Sequence, residues 1–547
     1  MFFRRKRSGK NEYLQIVENR WEGGASKQRV IATLGRFDEL KDTGQLDRLL
    51  ASGARFSESI MVIDAHARGV LPAVGTRRIG AALIFERLWK ESGIKTVIQI
   101  LLAKRKFEFP VERVIFLAVL HRLFRGGSDR MCDKWVADYR IEGIDEVELH
   151  HHYRAMAWLG EELPEDQQVG HTFSPRCTKD LVEEELFFRT QDLFSTLDLV
   201  FFDTTSIYFE GEGGQTIGQR GHNKDGHPEL KQMVVGAVLD GNGRPICCEL
   251  WPGNTTDVTT LVPVANRLSS RFSVDRVCLV ADRGMISKRT ITDLEVDKWP
   301  YILGARMRNQ KEVKEEVLSR AGRYQEVKTK GSPLKVKEVF VEGRRYVVCL
   351  NEAQAKKDAS DREAIITSLK DALKKGDKSL VGNKGYRRYL RTEGQHLHID
   401  EDKIKSEPRY DGKWVLRTNT ILPAAEVALK YKQLWMVEEW FRSAKSLLAT
   451  RPVYHKFDRT IRGHVFCSFL ALVLRRALED HLETKGYSFE WADILLSLDS
   501  LTETELRHQS KTFMLRSDPK PICTRLFQAA GVAMPPVIRQ IKDNRPS

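Results

Sequence analysis

From residue 11 to 36, in NEYLQIVENRWEGGASKQRVIATLGR, apolar and polar positions alternate as in two strands around a Gly-Gly turn, which predicts a small β-hairpin unit. From about Thr76 to Leu163 the period lengthens to that of a helix, in RIGAALIFERLWKESG, VERVIFLAVLHRLF and ELHHHYRAMAWLGEEL. After Pro175 short apolar runs return: DLVFFDTT, KQMVVGAVLD, RPICCELW, DRVCLVAD and KWPYILGAR, with helical DVTTLVPVANRLSSRF before the fourth and SKRTITDLEV after it. Three successive strands, then helix, strand, helix and strand, predict an α/β class with a mixed sheet and helices on its faces.

Residues 306–420 interrupt this pattern. They are rich in Lys and Arg and contain a strand-like VFVEGRRYVVCL, a charged helix AQAKKDASDREAIITSLKDALKKG, and HLHIDEDKIKSEPRYDGKWVLRTN, which predicts a hairpin turning at Asp411-Gly412. Two long helices are expected next, PAAEVALKYKQLWMVEEWFRSAKSLL and RTIRGHVFCSFLALVLRRALEDHLE, and then a loosely helical tail. The division expected is a hairpin unit at 1–60, a helical region at 61–175, a core first part at 176–305, an inserted subdomain at 306–420, a core second part with an acidic helix at 421–485, and a tail at 486–547.

At 547 residues the chain can bury several cores. Its net charge of +14 suits a protein that meets a polyanion, nucleic acid first, although a basic surface also serves solubility. The eight cysteines include no C-x-x-C pair and read as reduced core residues of a cytosolic protein. The basic start MFFRRKRSGK is not followed by an apolar stretch, so no signal peptide is expected. VFCSFLALVL is well short of the roughly 20 residues of a membrane helix.

In LVFFDTTSIYFEGE, four apolar residues run into Asp203 with no turn residue between, so the carboxylate is expected where a buried strand ends. RVCLVADRGM repeats the arrangement with Asp282 ahead of a turn-competent Arg283-Gly284. Two acids at the C-terminal ends of strands in one sheet would share its functional rim, although aspartate also terminates strands and caps helices. His150, His151 and His152 are consecutive on a helix and cannot all ligate one ion. GEGGQTIGQRGHNKDG has neither dinucleotide-binding nor P-loop spacing.

On a continuous helix, Tyr431, Glu438 and Lys445, spaced seven and seven apart, are offset by only about 20° per step. Arg442 lies beside them, whereas Glu439 is rotated by about 100° from Glu438. An apolar core seam would not consist of Tyr, Glu, Arg and Lys.

Asp203 after a strand, Asp282 in ADRGM, and YKQLWMVEEWFRSAK together resemble the DDE transposases of bacterial insertion sequences, and the insertion-sequence-four superfamily in particular. That family's helix signature is Y-x2-R-x3-E-x6-K, the YREK type; Tyr431, Glu438 and Lys445 match it, and Leu434 stands where Arg is expected. The resemblance implies a ribonuclease-H-like core with a strand-rich insertion. It implies a metal-dependent endonuclease and strand-joining activity in which Asp203, Asp282 and Glu438 hold two Mg²⁺ ions, with Mn²⁺ as a substitute. Tyr431 and Lys445, with Arg442 or Lys432 in place of the missing Arg, would hold a terminal phosphate, and Leu434→Arg is expected to be accepted. The partners implied are double-stranded terminal inverted repeats, target DNA and a second copy of the chain, in the bacterial cytoplasm near the nucleoid. End recognition would fall to Arg4–Lys10, to the helices of 76–163 or to GNKGYRRYLR. A nuclease or resolvase that cuts without joining, or a DNA-binding protein derived from a transposase, are the competing readings.

Overall fold

A computed structural model of the protein describes the chain except residues 23–24, 55–56, 71–72, 169–173, 191–196, 222–225, 275–276, 329–332, 375–387, 394–395, 448–449, 451–452, 509–510 and 542–547. The chain forms two units, one made of Met1–Leu83, Ala137–Arg140 and Phe489–Ser547, the other of Ile84–Val136 and Ile141–Ser488.

In the first unit, β1 (Phe2–Ser8), β2 (Asn11–Glu22) and β3 (Ala25–Arg36) pair antiparallel in that order. The expected two-strand hairpin therefore has a third strand, which its basic run FFRRKRS conceals because it does not alternate. The expected Gly-Gly turn, Gly23-Gly24, lies outside the described residues. A second sheet joins β4 (Ala73–Arg78) to three strands of the tail, β16 (Thr502–His508), β17 (Lys511–Arg516) and β18 (Ile538–Ile541), in the order β18-β17-β16-β4. The tail is thus strand as well as helix, and Val62, Leu506 and Phe513 form the core under these strands.

The second unit holds the nine-stranded sheet. Its centre is an antiparallel meander of β5 (Leu199–Tyr208), β6 (Gln232–Asp240) and β7 (Pro245–Pro252), with β8 (Cys278–Ala281) parallel to β5 and β9 (Tyr301–Gly304) parallel to β8. The spatial order β7-β6-β5-β8-β9 is the ribonuclease-H-like arrangement that the sequence resemblance implies. Phe202, Leu279, Ala281 and Leu303 face a core completed by the helices Leu261–Phe272 and Lys288–Val296. By alternation, Asp203, Asp282 and Gly304 belong to the opposite face.

The insertion does not stand apart from this sheet. β10 (Gln325–Val327), β11 (Leu334–Val341) and β12 (Arg344–Leu350) extend it, and β15 (Lys413–Thr418) returns to pair with both β12 and β9. The expected hairpin across Asp411-Gly412 is accordingly absent among the described residues, since β14 (His396–Ile399) pairs instead with β13 (Leu390–Glu393). Gly412 still makes a turn, at φ 63°, but that turn feeds the chain back into the main sheet.

A second departure concerns the long acidic helix. It divides into Ala424–Lys432 and Trp435–Arg442, and residues Ser443–Leu447 follow as a π-helical turn. The Leu434 N–H bonds to the Tyr431 carbonyl and the Val437 N–H to the Leu434 carbonyl, three residues back rather than four, so the chain is overwound here. Leu434 is buried at 5% exposure, so its burial accompanies the break.

Beneath the meander lies a buried ionic cluster. The Arg271 guanidinium meets Asp180 (3.0 Å), Glu183 (2.6 Å), Glu184 (2.8 Å) and Glu249 (3.1 Å), with buried Lys179 and Arg267 supplying further positive charge. All eight cysteines are buried and free. Among the described residues no helix is long and apolar enough to cross a membrane.

Candidate active site

Parallel pairing of β5 with β8 aligns Phe202 with Ala281, so the next residue on each strand, Asp203 and Asp282, lie side by side. Only β8 ends there. Strand β5 continues to Tyr208, with Asp203 paired to Ala237 of β6, so Asp203 sits in mid-strand rather than at a strand end. Residues 204–208 remain extended because β6 continues to pair with them. On β8 the chain leaves the sheet at Asp282 into a short 3₁₀ turn, Arg283–Met285. Arg306 fastens that turn, donating from Nε to the Arg283 carbonyl (3.0 Å) and from Nη2 to the Gly284 carbonyl (3.1 Å).

Tyr431 closes the site from above. Its hydroxyl donates to Asp282 Oδ1 across 2.9 Å. Burial raises the phenol's pKa well above its ordinary value, with the charge and hydrogen bond of Asp282 next and Asp203 adding to them, so the group remains a proton donor. Gly304 makes room for it, since a Cβ at that position would overlap the Tyr431 hydroxyl.

Glu438 is exposed on the helix Trp435–Arg442, which packs across β5 and β6. Val437, Trp440 and Phe441 define the buried stripe of that helix. At 100° per residue, Glu438 lies about 100° from Val437, at the flank of the stripe, whereas Glu439 lies about 200° away. Lys445 falls in the π-helical turn, so its shared face with Glu438 does not follow from α-helical geometry. Arg442 is exposed one turn after Glu438. Lys432 is also exposed and lies close enough to Cys349 of β12 to oppose the upward push of burial on that thiol, which places it toward the insertion strands.

One residue of this region escaped sequence reasoning. Asp257 opens a 3₁₀ turn, and its Oδ1 accepts the Thr204 hydroxyl at 2.7 Å, while the Thr204 backbone N–H donates to Asp203 Oδ1 at 2.7 Å. Nothing local in PGNTTDVTT separates it from an ordinary acid at a helix start.

The donor set suits a hard divalent cation, because the neighbouring side chains Asp203 and Asp282 offer carboxylate oxygens and both are partly accessible. Asp129, His455 and His464 also converge, with ligand atoms within 4.8 Å of one another. There the positive charge is already provided. Arg122 Nη2 lies 3.0 Å from His464 Nδ1 and 3.8 Å from Asp129, and His455 Nε2 is 3.4 Å from Asp129. Of the His150–His152 run, only His152 is buried, while His151 stacks on Phe109. The glycine-rich segment serves an internal anion. Asp458 accepts the backbone N–H groups of Gln215 (2.8 Å) and Thr216 (3.0 Å) and the Thr216 hydroxyl (2.6 Å). Gly214, at φ 78°, leaves space for that carboxylate.

A ribonuclease-H-like sheet with paired acids on adjoining strands defines a class of metal-dependent enzymes acting on nucleic acid. Residues 195–474, just over half of the chain, match the transposase DDE domain, and the chain belongs to the DDE transposases. It is a DNA transposase, an enzyme that cuts and joins DNA with divalent metal ions. Residues 3–65 match the IS1634 family transposase N-terminal domain. No curated protein matches the chain in sequence. Among solved structures, the piggyBac transposase synaptic complex with hairpin DNA is similar at 12% identity and TM-score 0.38, over 77% of this chain and 80% of that one.

Proposed function

We infer that Asp203, Asp282 and Glu438 are the three acids of the DDE site and that the chain frees a 3′-OH at each transposon end and joins it to target DNA. The observation that carries this reading is the register that sets Asp203 beside Asp282, with Tyr431 bonded to the latter. The three carboxylates would hold two Mg²⁺ ions, for which Mn²⁺ can substitute. When bound, the ions activate the attacking oxygen and stabilise the leaving one.

The chain's own groups prepare the site. Tyr431 fixes one oxygen of Asp282 and leaves the other to a cation, and the Thr204 N–H holds Oδ1 of Asp203. Lys445 and Arg442 hold the terminal phosphate as cationic contacts, and Lys432 is the weaker candidate because it lies toward Cys349. On this reading Tyr431, Glu438 and Lys445 form the YREK-type signature of the insertion-sequence-four superfamily with Leu434 in the Arg position. The active complex is a homodimer in the bacterial cytoplasm at the nucleoid, with 61–175 contributing to DNA binding and 486–547 to dimerisation.

The test is incubation with a labelled inverted-repeat end and supercoiled plasmid in Mg²⁺. Joined products are expected from the wild type and from none of Asp203→Ala, Asp282→Ala and Glu438→Ala. Cuts without any joined product would overturn the assignment.

A further inference from the structure

The positive charge of the chain is unevenly placed. Residues 1–36 carry nine Lys and Arg against three Glu, a net +6 out of +14 for the whole protein. They are also the three strands of the N-terminal sheet, whose register sorts the charges by face.

Paired residues share a face and successive residues alternate. One face contains the rows of Glu12, Leu14 and Glu18. On it Arg5 pairs with Glu12 (3.6 Å) and Arg20 and Arg29 pair with Glu18 (2.8 and 3.8 Å), and Arg7 and Lys27 share the face with these acids. The short helix Phe37–Asp42 covers part of it, with Arg5 stacked on the Phe37 ring and Leu40 against Gly35.

The other face has no acid among its described side chains. It presents Arg4 and Lys6 from β1, Gln15, Asn19 and Trp21 from β2, and Gln28 and Arg36 from β3, the last tied to Glu39 of the helix Phe37–Asp42 at 2.8 Å. Arg4 crosses two rows, donating to Gln15 at 2.9 Å and to Gln28 at 2.7 Å, and so passes the row of the fully buried Val17. A guanidinium laid over an apolar residue and held by two amides is fixed in direction before any partner arrives. Trp21 is 77% exposed at the far end of the same face.

We propose that this acid-free face of the N-terminal sheet grips duplex DNA, with Arg4 and Lys6 on phosphates and the amides of Asn19 and Gln28 directed to the groove, while Gln15, bonded to Arg4 and Thr33, holds Arg4 in place. Its choice of polyanion rests on the transposase reading above. A two-stranded ribbon, such as β1 with β2, fits the major groove in width, and Arg, Asn and Gln are the side chains that bond base edges and phosphates. A membrane or second-copy partner is less well matched, because the face is polar with isolated aromatics rather than a continuous apolar patch.

The experiment uses the full chain and a duplex carrying the inverted repeat, with binding followed by fluorescence anisotropy across a range of KCl in EDTA so that no cutting occurs. Lys6→Gln should lower the slope of log K against log [KCl] by about 0.9, the value of one phosphate contact. Arg20→Gln removes the same charge from the opposite face and should leave the slope unchanged. Because Arg4 also covers Val17, its substitution is replaced by Asn19→Ala, which should weaken binding at least threefold without altering the slope. An unchanged slope in Lys6→Gln, or equal losses from Lys6→Gln and Arg20→Gln, overturns the proposal. So does a Trp21→Ala variant that dissociates a dimer in sedimentation while the Lys6→Gln slope stays at the wild-type value. Because these slopes need no catalysis, a wild type that binds but never cuts in Mg²⁺ counts against the catalytic assignment alone.

Discussion

The Tyr431 hydroxyl and Asp282 Oδ1 are joined by a 2.9 Å hydrogen bond that ties the acidic helix region to the end of β8. The donor belongs to a segment about 150 residues further along the chain, so the insertion between them must fold without disturbing it. It does so by adding its strands to the edge of β9 rather than to the site.

Removing that donor tests its purpose. Tyr431→Phe should fold normally and lose between about 10- and 100-fold in strand cleavage, the range for a hydrogen bond to a charged group. The phenol's pKa is raised in the folded state, so that state retains the proton longer than the unfolded chain. Tyr431 therefore contributes stability that is present below pH 10 and declines as pH rises above it. Thermal melts from pH 8 to 11 should show a steeper alkaline loss for the wild type than for Tyr431→Phe, and parallel curves would refute the linkage.

Gly304→Ala approaches the same contact from below. The added methyl group occupies the space of the Tyr431 hydroxyl, so cleavage should fall at least as far as in Tyr431→Phe. Combining the two substitutions removes the closest collision and leaves the tighter-than-usual approach to the Arg283 backbone N, so their stability losses should be less than additive by at least about 0.5 kcal/mol in a double-mutant cycle. Strict additivity would mean that Gly304 acts on something other than Tyr431.

That Asp203 and Asp282 fall in one sheet could be read from the chain because each follows a run of apolar residues that predicts a strand. The extent of β5 could not be read the same way. TTSIY is extended because β6 lies beside it, and pairing across a sheet leaves no local trace. Asp257 was hidden for a similar reason, since its significance lies in Thr204, 53 residues away. The acidic helix shows the opposite failure. Its seven-residue spacing implies one helical face only if the α-helical period runs unbroken through Leu434 and Lys445, and tight and wide turns replace that period there.

Leu434 consequently changes meaning. Its 5% exposure makes it a core residue, so an arginine there must bury a charge or force the helix apart, contrary to the acceptance expected from the signature alone. Leu434→Arg should lose about 2–4 kcal/mol of stability, and Leu434→Met less than about 1.5. Denaturant titration of both variants decides; a stable Leu434→Arg with tighter DNA binding would restore the original expectation.

The buried cluster under the meander should be intolerant of half-measures. Arg271→Met leaves Asp180, Glu183, Glu184 and Glu249 with much less positive charge, and breaking a buried pair in this way costs about 3–5 kcal/mol. Expression as inclusion bodies, or a melting point lowered by several degrees, is the expected result. A variant as stable as the wild type would show that water reaches these carboxylates.

The choice between Glu438 and Glu439 is the most direct test of the assigned register. Both are exposed, so burial does not separate them. Direction does. Val437, Trp440 and Phe441 fix the face of the helix that meets β5 and β6, and Glu438 lies at the flank of that face while Glu439 points about 200° from its Val437 edge. The proposed site therefore takes Glu438, the nearer of the two to the buried stripe, as its third acid. Glu438→Gln keeps the shape and removes the charge, so cleavage at saturating Mg²⁺ should fall by about 10³-fold or more with circular dichroism unchanged. Glu439→Gln should stay within about threefold of wild type. A folded but inactive Glu439→Gln beside an active Glu438→Gln would rotate the helix assignment by one residue, and the roles given to Arg442 and Lys445 on the terminal phosphate would fall with it.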